Sequence, residues 1–61
     1  MGTYRLENNT KPLEDYRLAV VETAEELKEA ALRFAADRGL SSEEVNVFRV
    51  THILLGTAQE L

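Results

Sequence analysis

TAEELKEAALRFAADRG, residues 23–39, predicts a helix through several independent signals that agree with one another. Thr23 followed three residues later by Glu26 fits a capping box, in which each side chain binds the backbone N–H of the other residue. Gly39 supplies the positive φ on which helices commonly end. Apolar residues recur between these ends every three or four positions, at Ala24, Leu27, Ala31 and Phe34. One apolar seam therefore runs along the helix, and another element must cover it.

The same seam continues backward from this helix without a break. Its further members, at steps of three and four, are Leu13, Tyr16 and Val20. This periodicity predicts one long helix over residues 12–38, with Pro12 in its first turn, where the missing N–H costs no hydrogen bond. Residues 1–11 are polar and weakly patterned, so we expect them to form a flexible tail.

The C-terminal third predicts a second helix over residues 42–60. Ser41 and Glu44 fit another capping box, and the short link after Gly39 makes two helices antiparallel neighbours. One helical stripe collects the apolar residues Val47, Val50, Leu54, Ala58 and Leu61, with Phe48 and Leu55 on its flanks. The expected fold is therefore all-α, an antiparallel helical hairpin.

Residue composition keeps a second fold open. Residues 16–22 (YRLAVVE) and 45–55 (VNVFRVTHILL) are rich in β-branched side chains, which are typical of strands. The alternative is an α+β fold in which strands near 16–22 and 45–55 pack on a helix at 24–38. We favour the all-α fold because a strand at 45–55 would have no uniformly apolar face.

The size of the chain predicts association. A core built from 61 residues is marginal on its own, and without cysteine and with a single histidine neither a disulfide nor a one-chain zinc site is available. We therefore expect two hairpins to pair as a homodimer in a four-helix bundle, with contact to another protein as a further possibility. The proposed interface comprises Leu13, Tyr16, Val20, Leu27, Phe34, Phe48, Ile53 and Leu54.

Catalytic chemistry is not indicated by any motif. The adjacent acids Glu14/Asp15, Glu25/Glu26 and Glu43/Glu44 occupy first turns of predicted helices, where acid is favoured electrostatically. His52 has neither a carboxylate nor a second metal ligand at helical spacing, and no glycine-rich phosphate loop is present. We therefore expect no catalytic, cofactor-binding or metal-binding residues. The function that this predicts is that of a small non-catalytic regulatory or adaptor protein.

Charge and hydropathy narrow the classes of partner. The net charge of −4 makes nucleic acid an unfavourable partner, because affinity for phosphate backbones comes from clustered Lys and Arg. No apolar run is long enough for a membrane span and no signal pattern is visible, so we expect a cytoplasmic protein without membrane contact.

A ribbon-helix-helix-like, DNA-binding dimer is the competing function. Its ribbon would be residues 17–22 and its helices 24–38 and 42–56, which are suitable element lengths. Its weakness is that Ala19 and Val21 would enter the major groove, where readers of this kind place polar or basic side chains.

Overall fold

The computed structural model describes residues 2–49 and 53–61, and over these it shows one helix packed on a four-stranded antiparallel sheet. The elements are β1 (Gly2–Asn8), β2 (Tyr16–Val21), α1 (Ala24–Arg38), a 3-10 turn (Ser42–Glu44), β3 (Val45–Arg49) and β4 (Ile53–Thr57). The spatial order of the strands is β2-β1-β3-β4. The predicted all-α hairpin is therefore wrong, and the fold class is α+β.

The capping signals predicted at Thr23 and Gly39 are confirmed as the two ends of α1. The hydroxyl oxygen of Thr23 accepts from the Glu26 N–H at 3.1 Å, and the Glu26 carboxylate accepts from the Thr23 N–H at 3.0 Å. Gly39 ends the helix in the left-handed region, with φ of 66°. The seam faces the sheet through Leu27, Ala31 and Phe34, joined by Ala35, while Ala24 is exposed.

The helix does not extend back to residue 12, because residues 16–21 pair with β1 as an edge strand. Leu6 of β1 lies opposite Arg17, and the ladder continues to Gly2 opposite Val21. The periodicity was misleading for a geometric reason. Tyr16 and Val20 are four residues apart, and a spacing of four returns to the same side of a helix and also of a strand. β-branched composition was the better guide here.

The prediction of a flexible tail at residues 1–11 is wrong over residues 2–8. This segment is β1, which is paired on both sides and therefore lies inside the sheet. Leu6 is only 1% exposed beneath the helix. The segment reads as polar because its alternate residues Thr3, Arg5 and Glu7 lie on the face of the sheet away from the helix.

The predicted second helix at residues 42–60 is replaced by the 3-10 turn and two strands. Ser41 and Glu44 do interact, since the Glu44 carboxylate accepts from the Ser41 N–H at 2.9 Å, but only one short turn follows. Val45 and Val47 then alternate into the core, fully buried. Without a second helix the four-helix bundle is excluded. Val50, which was expected on the helical stripe, and His52 lie outside the described residues.

The core is a single layer between α1 and the sheet, and it is small. Its members are Leu6, Leu27, Ala31, Phe34, Ala35, Val45, Val47 and Ala58. Three of these eight are alanines, so among the described residues only five larger apolar side chains are buried. By contrast, eight large apolar side chains of the described residues are exposed. Among the same residues, α1 is the only helix of more than one turn, and it is too short and too polar to cross a bilayer.

Candidate protein interaction surface

One face of the sheet carries the helix, and the other, which we call the open face, has no element packed on it within the described residues. Side chains alternate between the two faces along each strand. Since Leu6 and Val47 point to the helix, their neighbours Arg5 and Phe48 belong to the open face. The pairing register then places two rows of four side chains across the strands.

The first row runs Leu18, Arg5, Phe48, Leu54 across β2, β1, β3 and β4. Its two ends are leucines, each more than half exposed. Its middle pairs the stem of an arginine with an aromatic ring. The row is therefore mostly apolar, although it faces away from the core.

The second row is polar and runs Tyr16, Glu7, Asn46, Thr57 in the same strand order. Asn46 approaches the Glu7 carboxylate at 3.5 Å through its side-chain amide. The Glu7 carboxylate also lies 3.5 Å from the Arg5 guanidinium. Glu7 is buried because neighbouring side chains cover it, and these polar contacts compensate for its lost hydration.

Arg5 links the two rows. Its guanidinium donates to the Pro12 carbonyl at 2.7 Å and lies 4.4 Å from the centre of the Tyr16 ring. The buried Nε of the same group has no hydrogen-bond partner among the described residues. These contacts hold the charged end of Arg5 above the second row and leave its stem in the first.

The apolar side chains of the open face are unusually exposed for a small protein. The exposed fractions are 50% for Tyr16, 56% for Leu18, 60% for Val20 and 55% for Leu54. Three of these four lie on β2, so they form a continuous strip along one edge. Continuous apolar strips of this kind mark contact surfaces, whereas single exposed leucines need no explanation.

The structure brings together half of the proposed interface residues and separates the rest. Tyr16, Val20, Phe48 and Leu54 share the open face. Leu27 and Phe34 are buried in the core, and Leu13 is exposed in the loop between β1 and β2. Ile53 pairs with Arg49 at the end of the sheet, on the helix side.

Five members of the two rows were not expected from the sequence, namely Arg5, Glu7, Leu18, Asn46 and Thr57. A signal was available in β1, where the apolar Tyr4 and Leu6 alternate with Arg5 and Glu7. That alternation is the period of a strand with one buried face. The alternation extends over only a few residues, so it was a weaker signal than the helical periodicity that begins at Leu13.

Other kinds of site find little support in the described part of the chain. No three His, Cys, Asp or Glu side chains lie close enough to share a metal ion there. The ribbon-helix-helix layout requires a helix at 42–56, where the structure has strands β3 and β4. Comparison with models of known families, with curated proteins and with solved structures yields no match.

Proposed function

We propose that this chain is a non-catalytic protein interaction module that works as a homodimer, with two copies stacked open face to open face. The observation that carries the proposal is the pair of rows across the open face. A surface that pairs with itself must be self-complementary, because a two-fold axis brings each residue to a residue of the same patch. The two rows meet this condition.

The first row is complementary under a two-fold axis that runs parallel to the strands between β1 and β3. Such an axis places β1 over β3 of the other copy and β2 over β4 of the other copy. Each row of side chains therefore meets the same row of the other copy in the opposite strand order. Leu18 then faces Leu54 of the other copy, and Arg5 faces Phe48. Leucine against leucine removes apolar surface from water, and the apolar stem of Arg5 packs on the Phe48 ring while its guanidinium stays over Tyr16.

The second row is complementary under the same axis. Glu7 faces Asn46 of the other copy, and Tyr16 faces Thr57. Tyr16 and Thr57 can exchange a hydrogen bond across the interface, while the buried Glu7 keeps Arg5 and Asn46 of its own copy as partners. Sheets that stack in this way lie about 10 Å apart and are rotated by about 30° to each other.

The size of the face predicts a weak dimer. Four strands about 4.8 Å apart, with about six residues each at about 3.3 Å, outline about 19 by 20 Å. That footprint is smaller than the roughly 800 Å² per partner of a standard stable interface. A micromolar Kd is therefore expected, which suits a regulator or adaptor whose assembly responds to its concentration. The proposal keeps the cytoplasm as the compartment.

Substitution of Leu54 by glutamate tests the dimer. At about 100 μM, above the expected Kd, sedimentation should give the wild type a mass twice the 6.9 kDa of one chain. Leu54→Glu should give one chain, because an unpaired carboxylate would be buried between the sheets. Leu18→Glu should do the same from the opposite end of the row.

Leu32→Glu is the matched control, since Leu32 is a similarly exposed leucine on α1, away from the open face. It should keep the wild-type mass. Circular dichroism of all three variants checks that each remains folded. A wild type that sediments as one chain at this concentration, or a control that dissociates as readily as Leu54→Glu, would remove the proposal.

A further inference from the structure

A cleft of about 300 Å³ opens between β2 and α1, on the side of the sheet opposite the open face. Its apolar lining includes Leu6 and Phe34, both nearly fully buried, and Val21 and Ala30 at its sides. Its volume is at the lower end of the range of ligand pockets, enough for one or two side chains of a peptide. The cleft is therefore a recess with a lining that is about half apolar and half polar, and no side chain of the described residues fills it.

Two arginines, Arg17 from β2 and Arg33 from α1, border this cleft. Both are exposed. Within the described residues the ion pairs join Arg5 to Glu7 and Arg38 to Asp15, and neither Arg17 nor Arg33 approaches an acid within 4 Å. Two uncompensated guanidinium groups beside one recess, in a chain of net charge −4, favour a carboxylate ligand.

Strand β2 also offers a free hydrogen-bonding edge beside the cleft. In an antiparallel ladder the paired residues alternate between those that exchange backbone hydrogen bonds and those that do not. The Asn8 N–H donates to the Asp15 carbonyl at 2.9 Å, so these two residues form a hydrogen-bonded pair. The next hydrogen-bonded pair lies two residues along each strand and consists of Leu6 and Arg17. The alternate residues Tyr16, Leu18 and Val20 therefore direct their N–H and C=O groups away from β1.

The opposite edge of the sheet is less suited to receive a strand. Strand β4 is paired to β3 through a register shift at Val47 and Phe48. It also contains Gly56 at a φ of 130°, outside the range of a regular strand. Irregularities of this kind protect edges from pairing. Strand β2 carries neither a shift in its register nor a proline.

We infer that the free edge of β2 and the cleft together bind an extended acidic segment of another protein. The segment joins the sheet as a fifth strand beside β2, as in other cases of strand addition. Its side chains alternate, so every second one turns toward the cleft. One carboxylate among these lies between Arg17 and Arg33, and apolar neighbours two residues away cover the recess.

A library of random ten-residue peptides displayed on phage, selected on the immobilised full chain, tests this inference. Enriched peptides should share one Asp or Glu with apolar residues two positions away. For a synthetic peptide of that consensus, Arg17→Gln and Arg33→Gln should each raise Kd about tenfold, the effect of losing one charge-assisted hydrogen bond. The backbone N–H groups of Leu18 and Val20 should become protected from hydrogen exchange when the peptide is bound.

Arg49→Gln is the matched control, because Arg49 is an exposed arginine outside the cleft. It should leave Kd unchanged. Leu54→Glu should also bind the peptide as the wild type does, so a failed dimer and a failed cleft give different results. A selection without an acidic consensus, equal binding by Arg33→Gln, or no added protection at Leu18 and Val20 would overturn the inference.

Discussion

Asn8 and Asp15 show how single polar residues position the end of the sheet. The Asn8 side chain is buried, where it donates to the Asp15 carboxylate at 3.3 Å and accepts from the Thr10 N–H at 3.0 Å. The Asp15 carboxylate also accepts from Arg38 at 2.6 Å. The loop between β1 and β2 is thereby tied to the end of α1. The contact between Asp15 and Arg38 depends on tertiary structure, because the two residues are far apart in the sequence.

The pairing of Asp15 with Arg38 predicts a specific pH dependence of stability. The hydrogen bond from Arg38 lowers the pKa of the Asp15 carboxyl below its ordinary value of 3.8, with smaller help from Asn8. A carboxyl with a lowered pKa stabilises the fold above its unfolded pKa, and this contribution is lost as the pH falls through the folded pKa. The wild type should therefore exceed Asp15→Asn in free energy of unfolding at pH 6.

That difference should begin to shrink below about pH 4, where the unfolded chain takes up a proton, and should disappear as the pH falls through the lower pKa of the folded carboxyl. Urea unfolding of both proteins at pH 6 and pH 3 measures it. Arg38→Gln serves as the partner variant and should remove most of the same pH dependence. A difference between wild type and Asp15→Asn that is equal at the two pH values would contradict the assignment.

Helix α1 is the element that local sequence specifies best. Its capping box, its acidic first turn and its terminal glycine act within a few residues of one another, so they work in any tertiary context. Strand β1 is the opposite case. Its apolar residues face the helix and its polar residues face away from it only once β2 and β3 have paired with it, because a central strand is stabilised by its neighbours.

Thr23→Ala tests the contribution of the cap to α1. Loss of the side-chain oxygen leaves the Glu26 N–H without its partner at 3.1 Å. The free energy of unfolding should fall by about 1 kcal/mol, and Tm by about 4–8 °C for a domain of this size. Thr23→Ser keeps the oxygen and should stay near the wild type. Equal Tm values for the alanine and serine variants would show that the cap contributes nothing.

At the scale of the whole molecule, the balance of buried and exposed side chains is the main feature. A core with five large apolar side chains is small, and the open face adds a second apolar layer that one copy leaves in water. Stacking two copies would turn a two-layer domain into a four-layer assembly, helix-sheet-sheet-helix, with a second core between the sheets. The stability of the domain should then depend on association.

Thermal unfolding at several protein concentrations measures that dependence. If folding and dimerisation are coupled, mass action should raise Tm at protein concentrations above the Kd. The expected rise is about 3–6 °C for each tenfold increase in concentration. Leu54→Glu should unfold at a Tm that does not change with concentration. A wild-type Tm that is equally constant would show that the single copy is the stable unit.

Local sequence by itself determined the caps at Thr23 and Gly39 and the helical turns between them, because caps act over one or two turns, but the apolar seam wrongly extended the helix back to residue 12. It also contained the α+β alternative, with strands near 16–22 and 45–55, but could not choose it. Tyr16 and Val20 satisfy the periods of helix and strand equally, and the polar β1 shows little sign of its central place. Tertiary structure decided these elements, because backbone N–H and C=O groups of a strand are satisfied only by a neighbouring strand. Only pairing among β1, β2 and β3 reveals which alternate side chains are covered and which remain open.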